Sequence, residues 1–150
     1  MDRNIYMLNH KCYRKKFQAF EKSARKLIEE NRNTVKQEND ASQDTTALLF
    51  RNMHTIKGNA RTYGFDLISE SAHDAETTYN ALKKSEQQWN TEQLLEDLKT
   101  VENRLNEYTV VFYDVLERGN TSSTEHAAAS NTTSLTLKGA LTDIIESLAS

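Results

Sequence analysis

The chain has 150 residues, no proline, four glycines, one cysteine and a net charge of −3, which suits one ordinary helical domain with a single core. A weakly acidic balance without a basic run gives no pull toward nucleic acid, Cys12 alone rules out an intrachain disulfide, and no stretch approaches the roughly 20 apolar residues of a membrane span. No apolar leader opens the sequence, and a soluble, reducing, cytoplasmic setting is expected.

The first dozen residues hold a small apolar knot, Ile5-Tyr6-Met7-Leu8, readable as a short lead-in helix or a frayed end. From Tyr13 the pattern turns regular. Tyr13, Phe17, Phe20, Ala24 and Leu27 recur at steps of three and four, with Lys and Arg between them, and predict an amphipathic helix over about 13–31. Residues 33–44 are rich in Asn, Gln, Asp and Ser, which compete for backbone hydrogen bonds, so they read as a loop with Asp44 or Thr45 capping the next helix.

That second helix, about 45–63, carries Leu49, Met53, Ile56, Ala60 and Tyr63 on one side and Phe50, Arg51, His54, Lys57, Gly58 and Arg61 on the other. Gly64 suits the left-handed conformation that ends helices, Phe65 is expected to turn inward, and Asp66 to cap a third helix over 66–84. The stripe of that helix is Ile68, Ala72, Ala75, Tyr79 and Leu82, and the two helices form a tight antiparallel hairpin. After a polar break at 85–90, Asn90 with Gln93 predicts a capping box opening a fourth helix over 91–118. Leu94, Leu98, Val101, Leu105, Tyr108, Phe112 and Val115 keep a heptad spacing along it.

Four amphipathic helices with one seam each bury those seams most simply against one another, so the expected fold is all-α, an antiparallel four-helix bundle over 1–118. A coiled-coil dimer would need one extended seam, and the isolated domain is expected to be a monomer. Residues 119–134 are small and polar and read as a flexible linker. Beyond them Leu135, Leu137, Leu141, Ile144, Ile145 and Leu148 predict a short amphipathic tail, either the start of a further region of a longer protein or a helix that folds back. Neither Cys12 nor His126 is given a role.

The unusual feature lies on the outer side of the second helix. A glycine inside a helix costs roughly 1 kcal/mol against alanine, and Gly58 stands one turn after His54 on the same face. Its absent side chain leaves the imidazole open to another protein's surface. With Lys57 and Arg61 adding positive charge, an exposed imidazole suits a group that carries a phosphoryl. Across the hairpin from His54 lie residues 73–76. Glu76 is the candidate partner: accepting a hydrogen bond from Nδ1, its carboxylate would leave Nε2 free as a nucleophile. His73, one turn before it, is a candidate for the same network, and Lys57 with Arg61 would stabilise the phosphoryl. The chain has no glycine-rich phosphate loop, no Walker motif and no acidic cluster for magnesium, so it reads as a phosphocarrier and kinase substrate rather than an enzyme, with no cofactor and no metal of its own.

His54-Thr55-Ile56-Lys57-Gly58, closed by Tyr63-Gly64-Phe65, resembles the histidine-containing phosphotransfer (Hpt) domains of two-component signalling, whose motif is His-x-x-Lys-Gly. His73 and Glu76 make it most similar to the phosphotransfer domain of the chemotaxis kinase CheA, of which the chain would then be a piece. Asn59 stands where Gly, Ala or Ser is more usual, and Arg61 adds a charge that many members lack. The resemblance implies phosphorylation at Nε2 of His54. It also implies loading by a histidine kinase catalytic domain or a phospho-receiver, and unloading by a response-regulator receiver domain that supplies the aspartate and the magnesium. Phe50, Arg51, Gly58 and Arg61 would form the docking face. Two other classes compete: an adaptor that binds a receiver or kinase without transfer, and a metal-binding bundle using His73 and Glu76. A single Glu/His pair in reversed order is too few ligands for the latter.

Overall fold

The computed structural model describes the backbone of residues 3–118 and the side chains of residues 14–114. It is all-α, with four helices and no strand among the described residues: α1 (Arg3–Gln37), α2 (Gln43–Tyr63), α3 (Asp66–Lys83) and α4 (Thr91–Arg118). The predicted linker over 119–134 and the amphipathic tail lie outside the described residues. Phe20–Leu105 form one compact unit, and the described residues on either side of it form a second.

The larger unit is a four-helix bundle. Its core takes Phe20, Ala24, Ile28 and Val35 from α1, Leu49, Met53, Ile56 and Ala60 from α2, Ile68, Ala72, Ala75, Tyr79 and Leu82 from α3, and Leu94, Leu98, Val101 and Leu105 from α4. Each set recurs at three- and four-residue steps, with the buried Asn31 filling the step between Ile28 and Val35, so each helix turns one stripe inward. In the second unit Phe17 stacks on Phe112, ring centroids 4.1 Å apart, and Tyr113 meets both rings edge-on.

The first helix departs from its expected bounds. It starts at Arg3 and runs unbroken to Gln37, so the apolar knot at its start is part of α1, and the loop shrinks to the residues between Gln37 and Gln43. Val35 is fully buried, and Ile28 rather than Leu27 faces the core. Asn31 hid this continuation. It occupies the core position between Ile28 and Val35, donates from Nδ2 to the Leu49 carbonyl at 3.1 Å, and accepts from Asn52 Nδ2 at 2.9 Å. A polar residue in an apolar stripe breaks the sequence pattern without breaking the helix, because its polar groups are satisfied across the helix interface. Lower down, Arg32 ties α1 to α4 through Glu102 at 2.9 Å.

Helix ends also differ in detail. Ser42, not Asp44 or Thr45, caps α2: its Oγ accepts from the Thr45 N–H at 3.2 Å. Asp66 is the first residue of α3 rather than its cap, and Phe65 precedes it with no side-chain cap bond. Before α4, Asn90 Oδ1 accepts from the Gln93 N–H at 3.1 Å, but the Gln93 amide turns to Asp97 at 2.9 Å, so only half of the capping box forms. That bond eases only part of the strain at Asp97. Burial pushes its carboxyl pKa up, and the nearby Asp74 and Glu96 push it further. A raised folded-state pKa means that the ionised form costs stability, and that this cost fades as pH falls through the folded pKa. Asp97→Asn should therefore raise the melting temperature near pH 7 by an amount worth a few tenths of a kcal/mol, at most, for so accessible a group, and the gain should shrink toward pH 4.

α3 ends in the same manner as α2. The Ser85 N–H bonds to the Leu82 carbonyl and the Glu86 N–H to the Ala81 carbonyl, the paired bonds of a Schellman turn, with Ser85 in the left-handed region at φ 59°. A residue with a Cβ is strained there. Ser85→Gly should stabilise the fold by about 1 kcal/mol, measured as a shift in the urea midpoint.

Candidate functional site

The turn between α2 and α3 sets the site's register. Gly64 takes φ 79° and ψ 20°, its N–H bonds to the Arg61 carbonyl at 3.2 Å, and the Phe65 N–H bonds to the Ala60 carbonyl at 2.8 Å. Phe65, buried beyond the turn, meets Phe20 edge-on at 5.2 Å and Tyr63 at 5.8 Å. With the turn pinned in this way, the antiparallel helices bring positions 54 and 76 opposite each other.

There the geometry is tight. His54 Nδ1 lies 2.6 Å from Glu76 Oε1, and Lys57 Nζ lies 2.5 Å from Glu76 Oε2. Glu76 is only 4% exposed, whereas the His54 side chain is 63% exposed. A carboxylate so buried needs both of its oxygens partnered, and it finds one partner in the imidazole and one in the ammonium. An ionised carboxylate only accepts, so the Nδ1 contact suits an Nδ1–H tautomer, which in a neutral ring puts the lone pair on Nε2. The imidazole is thus largely exposed to solvent and bonded to the carboxylate through Nδ1.

The other expected site residues divide clearly. His73 approaches Glu76 Oε2 to 3.8 Å without a hydrogen bond, and its side chain is largely exposed. Phe50, one turn before His54, lies nearly parallel to the imidazole, with centroids 5.8 Å apart and planes 12° apart. Gly58 opens onto space, with nothing within 4 Å of where a Cβ would stand. Arg51 and Arg61 are exposed on the same helix, and their side chains pair with no acid among the described residues.

Lys57 is the residue whose placement the sequence did not show. Its spacing put it on the exposed face beside His54, ready for a phosphoryl, but its side chain is only 15% exposed and folds back onto Glu76. The clue was available in the hairpin: a residue three positions after His54 lies on the same side as the carboxylate facing His54. The Lys57 ammonium also fills the space that a cation on Glu76 would need. Among the described residues no group of three His, Cys, Asp or Glu side chains is arranged to hold a metal ion.

The structure thus shows an exposed histidine on a bundle helix, backed by a buried glutamate and followed one turn later by an open glycine. The Hpt domain model matches residues 17–108, more than half of the chain. The chain belongs to the Hpt family. Hpt domains take part in two-component phosphotransfer, meeting kinases and receiver domains as carriers rather than catalysts. No curated protein matches this chain. The match covers all of α2 and α3, and therefore every candidate site residue described above. No described helix is long and apolar enough to cross a membrane.

The open space at Gly58 allows a direct test of why this Hpt helix carries a glycine. Gly58→Ala should stabilise the fold by about 1 kcal/mol, since alanine is the better helix former and the methyl meets nothing. Thermal melting reads that gain, and the same variant should take phosphoryl from a protein donor more slowly than the natural chain.

Proposed function

We propose that this Hpt domain is the carrier of a phosphorelay in which His54 takes a phosphoryl group on Nε2 and passes it to a receiver aspartate. The observation that carries the reading is the bond of Nδ1 to a buried carboxylate on an otherwise exposed imidazole. It leaves one nitrogen, outward-facing and unprotonated, to attack phosphorus. As the N–P bond forms, positive charge grows on the ring and Glu76 stabilises it. In this reading Lys57 holds Glu76 in place and neutralises it between turnovers, and it can turn to the phosphoryl once that group arrives. Arg51 and Arg61 give the docking face a basic rim with Phe50 and Gly58.

His73 one turn before Glu76, 3.8 Å from its carboxylate, supports likeness to the phosphotransfer domain of the chemotaxis kinase CheA. That likeness makes a cytoplasmic histidine kinase catalytic domain the proposed phosphoryl source and chemotaxis the proposed output. The test is labelling of the purified chain by an active histidine kinase or a phosphorylated receiver, beside a His54→Gln variant. Label that is acid-labile, base-stable and absent from the variant is expected. If a panel of kinases and receivers labels neither chain, the carrier reading gives way to that of an adaptor which binds without transfer.

A further inference from the structure

One hydrogen bond does not fix an imidazole. With only the Nδ1–Glu76 bond, the His54 ring could still swing about that contact, and a side chain as exposed as this one meets little packing to stop it. The second contact on the ring is Phe50. At 37% exposure it is one of two large apolar side chains left exposed among the described residues, and core packing does not account for it. Its ring lies 12° from parallel with the imidazole, at a centroid distance of 5.8 Å, an offset stack one helical turn long.

We propose that Phe50 is a positioning residue for phosphoryl transfer, holding the His54 ring plane so that Nδ1 stays on Glu76 while Nε2 points outward. This goes beyond a docking role for Phe50 and rests on the carrier reading above. The stack and the carboxylate constrain the ring in two different directions, one across its plane and one along its edge. In the transfer step the Nε2 lone pair forms the N–P bond while the bond from phosphorus to the donor atom breaks, its electron pair leaving with the donor. The hydrogen on Nδ1 stays in its bond to Glu76. The ring becomes cationic in character as this happens, and the face of Phe50 then favours it electrostatically.

The surroundings supply a conservative variant. Beside Phe50 lies a shallow cavity of about 170 Å³, lined also by Thr46, Ala47, Tyr79, Asn80 and Lys83. On a ring that is 37% exposed beside such a cavity an added hydroxyl can stay solvated, so Phe50→Tyr keeps the stack, whereas Phe50→Leu removes it and remains apolar.

Two readouts on the full chain test the proposal. The first is loading by phosphoramidate, a donor too small to need a docking surface; its P–N bond breaks and the pair leaves on ammonia. Phe50→Leu should load roughly three- to five-fold more slowly than the natural chain, as expected for loss of a cation–π contact of moderate strength, and Phe50→Tyr should load at the natural rate. The second is the two-bond proton–nitrogen NMR correlation of the His54 ring. It should show a single Nδ1–H tautomer in the natural chain and Phe50→Tyr, and a mixture in Phe50→Leu. An unchanged rate and tautomer in Phe50→Leu overturn the proposal. Slowing by a protein donor alone overturns it too, because Phe50 would then serve docking only. A natural chain that no donor labels overturns the carrier reading itself, a result distinct from either of these.

Discussion

Replacing Glu76 by alanine should slow phosphoryl loading of His54 about 100-fold, the scale on which a positioned acid–base partner contributes. Both oxygens of Glu76 are engaged, one by His54 Nδ1 and one by Lys57 Nζ. The alanine variant therefore loses the tautomer lock and the charge that offsets the developing imidazolium. Single-turnover labelling from a kinase or receiver measures the rate. Lys57 can extend to water once its partner is gone, so the fold should lose only about 2 kcal/mol, less than the full cost of stranding a buried charge. Glu76→Gln separates the two contributions: its amide oxygen can still accept from Nδ1, but it brings no charge. An intermediate rate is expected. A Glu76→Ala variant that loads at the natural rate would remove Glu76 from the mechanism.

Phe65→Ala should destabilise the fold by about 4 kcal/mol, in the range for a buried phenylalanine replaced by alanine. Phe65 is buried, holds Phe20 edge-on at 5.2 Å, and directly follows the left-handed Gly64 that closes α2. Its loss empties the space beneath the turn that sets the offset of α3 against α2. A drop in melting temperature of roughly 15 °C is expected for a chain of this size. In the part that stays folded, the His54 tautomer should lose its uniformity, because the distance from Nδ1 to Glu76 depends on that offset. A melting temperature unchanged within a degree or two would show that the turn is held by its backbone bonds alone.

These two residues mark where reading the chain succeeds and where it stops. The stripes of α2, α3 and α4 were legible because apolar residues recur at helical spacing, and the His-x-x-Lys-Gly run with Gly64 was legible because glycine and an exposed histidine are costly or unusual at such places. The end of α1 was not. Asn31 sits in the core with its amide satisfied by Leu49 and Asn52 on another helix, and no local rule converts a buried asparagine into a helix position. The caps were misplaced by a residue or more for a related reason. Ser42, Asp44 and Thr45 can all accept a backbone N–H, and which one does so depends on where the chain leaves α1.

Local chemistry along the sequence was enough to determine an all-helical fold, the hairpin that carries His54, and the choice of Glu76 as its partner, because helical periodicity and a two-residue turn leave little freedom in which positions face each other. Only the tertiary structure decided how those groups share their bonds. Lys57, expected beside the phosphoryl, is turned onto Glu76, and Phe50, expected on the docking face, is also stacked on the imidazole. The first outcome depends on burial of one carboxylate between two helices. A carboxylate left in water would need neither cation nor imidazole, but one that is 4% exposed must gather partners from whichever side chains can reach it, and that reach is a property of packing rather than of sequence.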